Sequence, residues 1–147
     1  MKKSLIAALA LFSSSVFADI AVEKPYARAV PQGQMNSAAF MQISNTADTQ
    51  VDLIAAHSDA AKSVELHTHT QVEGVMQMRK IDKVEIPAKG SVSLAPGGLH
   101  IMFIGLTKNF NEGESVDLTL DFSDGSSQKL TVPVQMVMPH GMMHKTQ

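Results

Sequence analysis

Two histidines and two methionines stand at spacings that would let their side chains meet. Ten residues separate His67 from Met78, twenty-one separate Met78 from His100, and one separates His100 from Met102. In an extended strand alternate side chains share a face, so His100 and Met102 point the same way while Ile101 points the other. Two imidazoles and two thioethers converging from neighbouring strands would make an N2S2 ligand set. Thioether sulfur is soft and uncharged; it is a poor ligand for Mg, Ca or Mn and a good one for Cu(I), and imidazole binds copper in either oxidation state. A tetrahedral site without carboxylate or water favours Cu(I) over Cu(II), which prefers tetragonal surroundings. Zinc is the weaker candidate, because its protein sites use Cys, His and carboxylates. A hydrolytic site is weaker still, because no carboxylate base stands beside these residues in the sequence.

Composition removes most competing chemistries. The 147-residue chain has no Cys and no Trp, one Tyr, ten Met and six His. Without cysteine there is no disulfide, thiol nucleophile, iron–sulfur cluster, thiolate zinc site or blue-copper centre. A formal charge of −2 gives no electrostatic reason to expect nucleic acid as a partner. The remaining Met and His residues have blander readings that must be weighed. A single Met on a strand is more often core filler than ligand, and a single His is more often solvated or hydrogen-bonded. Met35 and Met41 are read as packing residues, and His57, near a turn, as a solvated histidine. Met76 shares parity with Met78 and would replace it if the strand carried a bulge. His69 shares parity with His67 and is read as an auxiliary group of the site.

The elements that would position these residues are short strands. Candidate strands are Ile20 to Ala29, Ala38 to Ser44, Val51 to His57, Val64 to His69, Val75 to Ile81, Val84 to Ile86, Ser91 to Leu94, His100 to Phe103, Ser115 to Phe122 and Gln128 to Val137. Turn residues separate them, among them Glu73-Gly74, Ala95-Pro96-Gly97-Gly98 and Ser123-Asp124-Gly125. The clearest strand is Val116 to Phe122, apolar on one face and polar on the other, with Gln128 to Val134 as its expected partner. Strands so closely spaced, with no sustained helical period, predict a single antiparallel all-β sandwich or barrel over residues 19–137.

Both ends of the chain read differently. Lys2 and Lys3, the apolar run Leu5 to Phe12 and a small residue at Ala18 have the order of an export signal, expected to be cleaved after Ala18. The apolar run is too short to span a bilayer, which needs about 20 residues. Export would place the protein in the periplasm, and without a cysteine to lipidate no membrane anchor is expected. At the other end, Met138, His140, Met142, Met143 and His144 lie in a segment, 138–147, with no core pattern. Methionine on a solvated tail invites oxidation and packs against nothing. The segment is read as a flexible copper-capturing arm, holding Cu(II) through its histidines or a second Cu(I) through its thioethers. Met136 is read as a residue of the last strand or of this arm.

The spacing His67, Met78, His100, Met102 resembles the signature of the periplasmic copper chaperones called PCu(A)C. The resemblance extends to Val64-Glu65-Leu66-His67, Gly74-Val75-Met76-Gln77-Met78-Arg79, Ile86-Pro87-Ala88-Lys89-Gly90 and Pro96-Gly97-Gly98-Leu99-His100-Ile101-Met102. It also takes in Ala27-Arg28 and Ala38-Ala39-Phe40-Met41. It implies a cupredoxin-like β-sandwich, not an enzyme, that binds Cu(I) near its surface and passes it to another protein. The implied recipient is the copper subunit of a haem–copper (cytochrome c) oxidase, reached directly or through a second copper chaperone. A copper-sequestering or resistance protein would use the same ligands without a docking partner. A monomer is expected in either case.

Overall fold

A computed structural model of the chain describes residues 19–137. The export-signal reading of residues 1–18 and the ligand reading of Met138, His140, Met142, Met143 and His144 lie outside the described residues. Within them the chain forms strands β1 (Ile20–Arg28), β2 (Asn36–Asn45), β3 (Val51–His57), β4 (Ala61–Val72), β5 (Val75–Lys80), β6 (Val84–Ile86), β7 (Ser91–Leu94), β8 (His100–Leu106), β9 (Ser115–Phe122) and β10 (Ser127–Gln135).

The strands form two layers. One runs β5-β4-β8-β2-β1, with β7 also on β2, and the other runs β10-β9-β3-β6. Strand β10 joins them: it lies antiparallel to β9 from Ser127 to Pro133, then pairs in parallel with β1 at Val134 and Gln135. Alternation explains the layering. Val116, Leu118, Leu120 and Phe122 of β9 are buried, and they meet Ala39, Met41, Ile43, Leu66, Ile101 and Phe103 from the other sheet in one core. The turn Ser123-Asp124-Gly125 that joins β9 to β10 is held by the Ser126 amide donating to Asp124 Oδ1 at 2.9 Å, with Gly125 at φ 86°.

Strand β2 is covered on both faces. Ser37 to Met41 are all buried, but only Ala39 and Met41 of these belong to the core. Ala38 and Phe40 therefore bury against something on the outer face of the sheet. Along one edge of β2, β8 pairs with Asn36 to Ala39 and β7 with Met41 to Ser44. The two strands lie end to end, Phe40 falls at the junction, and the loop Ala95 to Leu99 spans it.

The structure changes several sequence expectations. Strand β4 continues past His69 to Val72, because Glu73 and Gly74 both adopt positive φ, 52° and 79°, and close a two-residue hairpin on the Val72–Val75 pair. The expected Val64 to His69 strand stops short because Thr68 to Gln71 are polar and show no apolar alternation. Met41 is in the core as expected, but Met35 is 53% exposed and is not a packing residue, since it precedes β2 and faces away from the core. Met136 lies just beyond β10, 61% exposed. His57 closes β3 and is solvated, with its Nε2 2.8 Å from Asp121 Oδ2.

Candidate metal centre

The site is built on the outer face of β8, β4 and β5. Antiparallel register sets His67 opposite His100, Glu65 opposite Met102, and His69 opposite Met78. Residues directly opposite in a ladder share a face. The residues between them, Leu66, Ile101 and Phe103, point into the core. The outer face therefore carries Glu65, His67, His69, Met76, Met78, His100 and Met102 together. Ala38, opposite Met102 on β2, and Phe40 form the floor. The β4–β5 register runs without a break from Val72–Val75 to His67–Lys80, so no bulge exchanges Met76 for Met78.

Each histidine is oriented by a partner that can only accept a hydrogen bond. His100 is 2% exposed, and its Nδ1 donates to the Gly98 carbonyl at 3.0 Å. That carbonyl is presented by a tight loop in which the Ala95 amide donates to Leu99 O and the Gly98 amide to Ala95 O, each at 3.0 Å, with Gly97 at φ 87°. The same carbonyl accepts from His69 Nδ1 at 3.3 Å. Burial pushes the His100 imidazole below its ordinary pKa, against the raising effect of the Gly98 bond, and nearby His69, His67 and Arg28 push it further down. A neutral ring with its hydrogen on Nδ1 leaves Nε2 as a bare lone pair.

His67 is oriented the other way round. Its Nε2 lies 2.7 Å from Glu65 Oε2. The hydrogen bond from His67, together with the charge of Lys80, holds the Glu65 carboxyl below its ordinary pKa, against the opposing effect of burial. An ionised carboxylate only accepts, so a neutral His67 ring carries its hydrogen on Nε2 and its lone pair on Nδ1. Glu65 corrects the expectation that no carboxylate stands beside the site residues. It is two positions from His67 on one strand, and that parity alone puts both on the same face. Lys80, opposite His67 on β5, adds an ion pair to Glu65 Oε1 at 3.5 Å.

Two imidazole nitrogens, His67 Nδ1 and His100 Nε2, are thus buried without a hydrogen-bond partner among the described residues, as is Arg28 Nε at the side of the site. The two histidine rings lie 5.7 Å apart, centroid to centroid. An open cavity of about 480 Å³ is lined by His69, Met76, Met78, His100 and Met102 over Phe40. His67 does not line that opening; it is the neighbour of His100 across the ladder. Arg28 stands at one side of the cavity, its guanidinium carbon 5.5 Å from the centre of the Phe40 ring. Among the described residues no group of three or more His, Asp or Glu side chains is placed to hold a metal. The soft donors beside the histidines on this face are the thioethers of Met76, Met78 and Met102.

A model of the LpqE-like family matches residues 20–134. The chain belongs to the LpqE-like family. A relative from Leifsonia xyli subsp. xyli, named "Putative lipoprotein Lxx21020", is 36% identical over 117 residues, which are 79% of this chain and 69% of that protein. Among solved structures, the copper-bound PCuAC domain from PmoF2 superposes with a TM-score of 0.69 at 25% identity, covering 81% of this chain and 94% of that one. The Cu(I) form of DR1885 from Deinococcus radiodurans superposes with a TM-score of 0.66 at 29% identity, covering 83% of this chain and 81% of that one. The LpqE-like chain is thus a PCuAC-type domain with the cupredoxin-like sandwich of that group.

Proposed function

We propose that this LpqE-like chain is an exported Cu(I) chaperone of the periplasm. It holds copper through His67, Met78, His100 and Met102 and passes it by ligand exchange to a protein of cytochrome c oxidase assembly. The observation that carries the reading is the pair of unpartnered buried nitrogens, His67 Nδ1 and His100 Nε2, on rings 5.7 Å apart. A buried polar atom without a partner costs about 1–3 kcal/mol, which a metal ion would offset. Metal–imidazole bonds of about 2 Å let one ion bridge rings at this separation. Met102 shares the face of His100, and Met78 reaches the same face from β5. Two thioethers make the set soft and uncharged, which suits Cu(I).

Release follows from the same geometry. Met78 is 44% exposed at the cavity, so an incoming thiolate can displace it while buried His100 and half-buried His67 still hold the ion. The copper-bound PmoF2 domain and the Cu(I) form of DR1885 support a binding role over an enzymatic one. The lipoprotein name of the Leifsonia relative supports export, although this chain has no cysteine to carry a lipid. Met138, His140, Met142, Met143 and His144 are proposed to form a second copper set.

A chelator competition tests the assignment. His100→Ala and Met102→Ala should each weaken Cu(I) binding by more than about 100-fold, the upper range for loss of an outer partner of a ligand, with the circular dichroism of the sandwich retained. Unchanged affinity in both variants would remove the site. Transfer from the loaded chain to a purified apo-oxidase copper domain tests delivery; tight binding without transfer would instead favour sequestration.

A further inference from the structure

We infer that Glu65 is a positioning residue of this site, setting which nitrogen of His67 faces the metal; the inference rests on the copper reading above. Two features of the fold impose this role. Glu65 and His67 are two residues apart on β4, so the carboxylate lies along the strand beside the ring, 2.7 Å from Nε2. Lys80, directly across the ladder from His67, holds the other carboxylate oxygen at 3.5 Å. Glu65 is thereby fixed from two sides and keeps the His67 hydrogen on Nε2.

The consequence is an asymmetric pair of histidines. His100 gives its Nδ1 hydrogen to Gly98 and presents Nε2, whereas His67 gives its Nε2 hydrogen to Glu65 and presents Nδ1. Both presented atoms are buried and unpartnered. Without Glu65, the His67 ring would be free to exchange tautomers and rotate. The Lys80 ammonium would also stand near the copper ion with its countercharge removed. Glutamine at this position keeps a carbonyl oxygen that can accept the Nε2 hydrogen, so it restores orientation without charge.

The test uses the full chain and begins without metal. Long-range proton–nitrogen NMR of the histidine rings should show His67 in the Nε2–H form and His100 in the Nδ1–H form. In Glu65→Ala, His67 should become a mixture of tautomers, and Cu(I) affinity by chelator competition should fall about 10–100-fold. Glu65→Gln should recover the Nε2–H form and most of the affinity. A metal-free wild-type protein with His67 in the Nδ1–H form would overturn the inference, and so would Glu65→Ala with unaltered affinity or an unaltered tautomer. If Glu65→Ala does not fold, the wild-type tautomer and the affinity of Glu65→Gln decide; a Gln variant weakened like a ligand deletion, with its His67 tautomer unchanged, counts against it. A wild-type chain that keeps the Nε2–H form yet takes up no Cu(I) overturns the copper reading itself, whereas copper binding indifferent to Glu65 overturns this inference alone.

Discussion

The residues that would bind copper differ sharply in how the protein holds them. His100 is buried on the outer face of the sheet and tied to Gly98, while Met78 lies at the rim with nearly half its surface in water. Met76 is more exposed still and falls opposite Gln71, two pairs further along the ladder toward the turn than Met78. Met78→Leu should therefore weaken Cu(I) binding at least about tenfold in a chelator titration, while Met76→Leu should change it little. Both should shift stability by less than about 0.5 kcal/mol in urea unfolding, because neither side chain is packed. Equal losses from the two would mean the ion sits nearer the hairpin turn than the register implies. At this scale the sequence was informative about side-chain parity, since His100 and Met102 share the face on which His67 and Met78 also stand. It was silent on Gly98, whose role is a carbonyl that any residue carries, and on Phe40, whose place under His100 depends on β7 and β8 meeting end to end. Glu65 was legible in principle, since its parity with His67 could be read directly.

At the scale of elements, the β4–β5 hairpin decides whether the site exists. Its two-residue turn needs positive φ at Glu73 and Gly74, and a Cβ on Gly74 would meet no atom within 4 Å. The cost of a side chain there is therefore conformational, about 1 kcal/mol for the left-handed region. Gly74→Ala should lower stability by about that amount and weaken copper binding through the Met78 register, seen as lost amide protection in β5 by hydrogen exchange. Undiminished protection would show that the ladder, and not the turn, sets the register. The strand boundaries show how legibility depends on patterning. Strand β9 alternates cleanly and falls where its sequence places it. The end of β4 is polar on both faces, and only pairing with β5 makes it a strand. Met35 escaped its expected burial for the same reason: a methionine next to a strand looks like core until the neighbouring face is known.

Over the whole molecule, a core from two sheets must serve a chain with no disulfide to restrain its unfolded state. Polar ties at the surface of the second sheet supplement it. Asp52 is held below its ordinary pKa of 3.8 first by Gln50 and then by Lys83, and Asp121 below 3.8 first by Ser127 and then by His57. A carboxyl whose folded pKa is lowered stabilises the fold above its unfolded value and loses that contribution as pH falls through the folded one. Thermal stability should thus hold to about pH 4 and then fall with acid, and Asp121→Asn should make that fall shallower. An identical acid slope in the variant would assign the loss to other groups. Gln50 and Ser127 lie within a few residues of these carboxylates, whereas Lys83 and His57 reach them from distant segments, and no local pattern announced those two ties. The closure of the sandwich by a parallel β1–β10 pair was equally hidden, because two residues of contact between the two ends of the domain leave no periodic trace.

The exposure of Met76 and Met78 also determines how the protein ages. A thioether that reaches solvent is open to peroxide, and oxidation turns soft sulfur into a sulfoxide whose oxygen suits harder ions than Cu(I). Met41, buried in the core, is shielded from the same chemistry. Oxidative damage would thus reach the proposed copper site before it reached the fold, leaving a well-folded chain with its soft donors lost. Because sulfoxide reduction is enzymatic and specific to each epimer, its working lifetime would be set by methionine repair in its compartment.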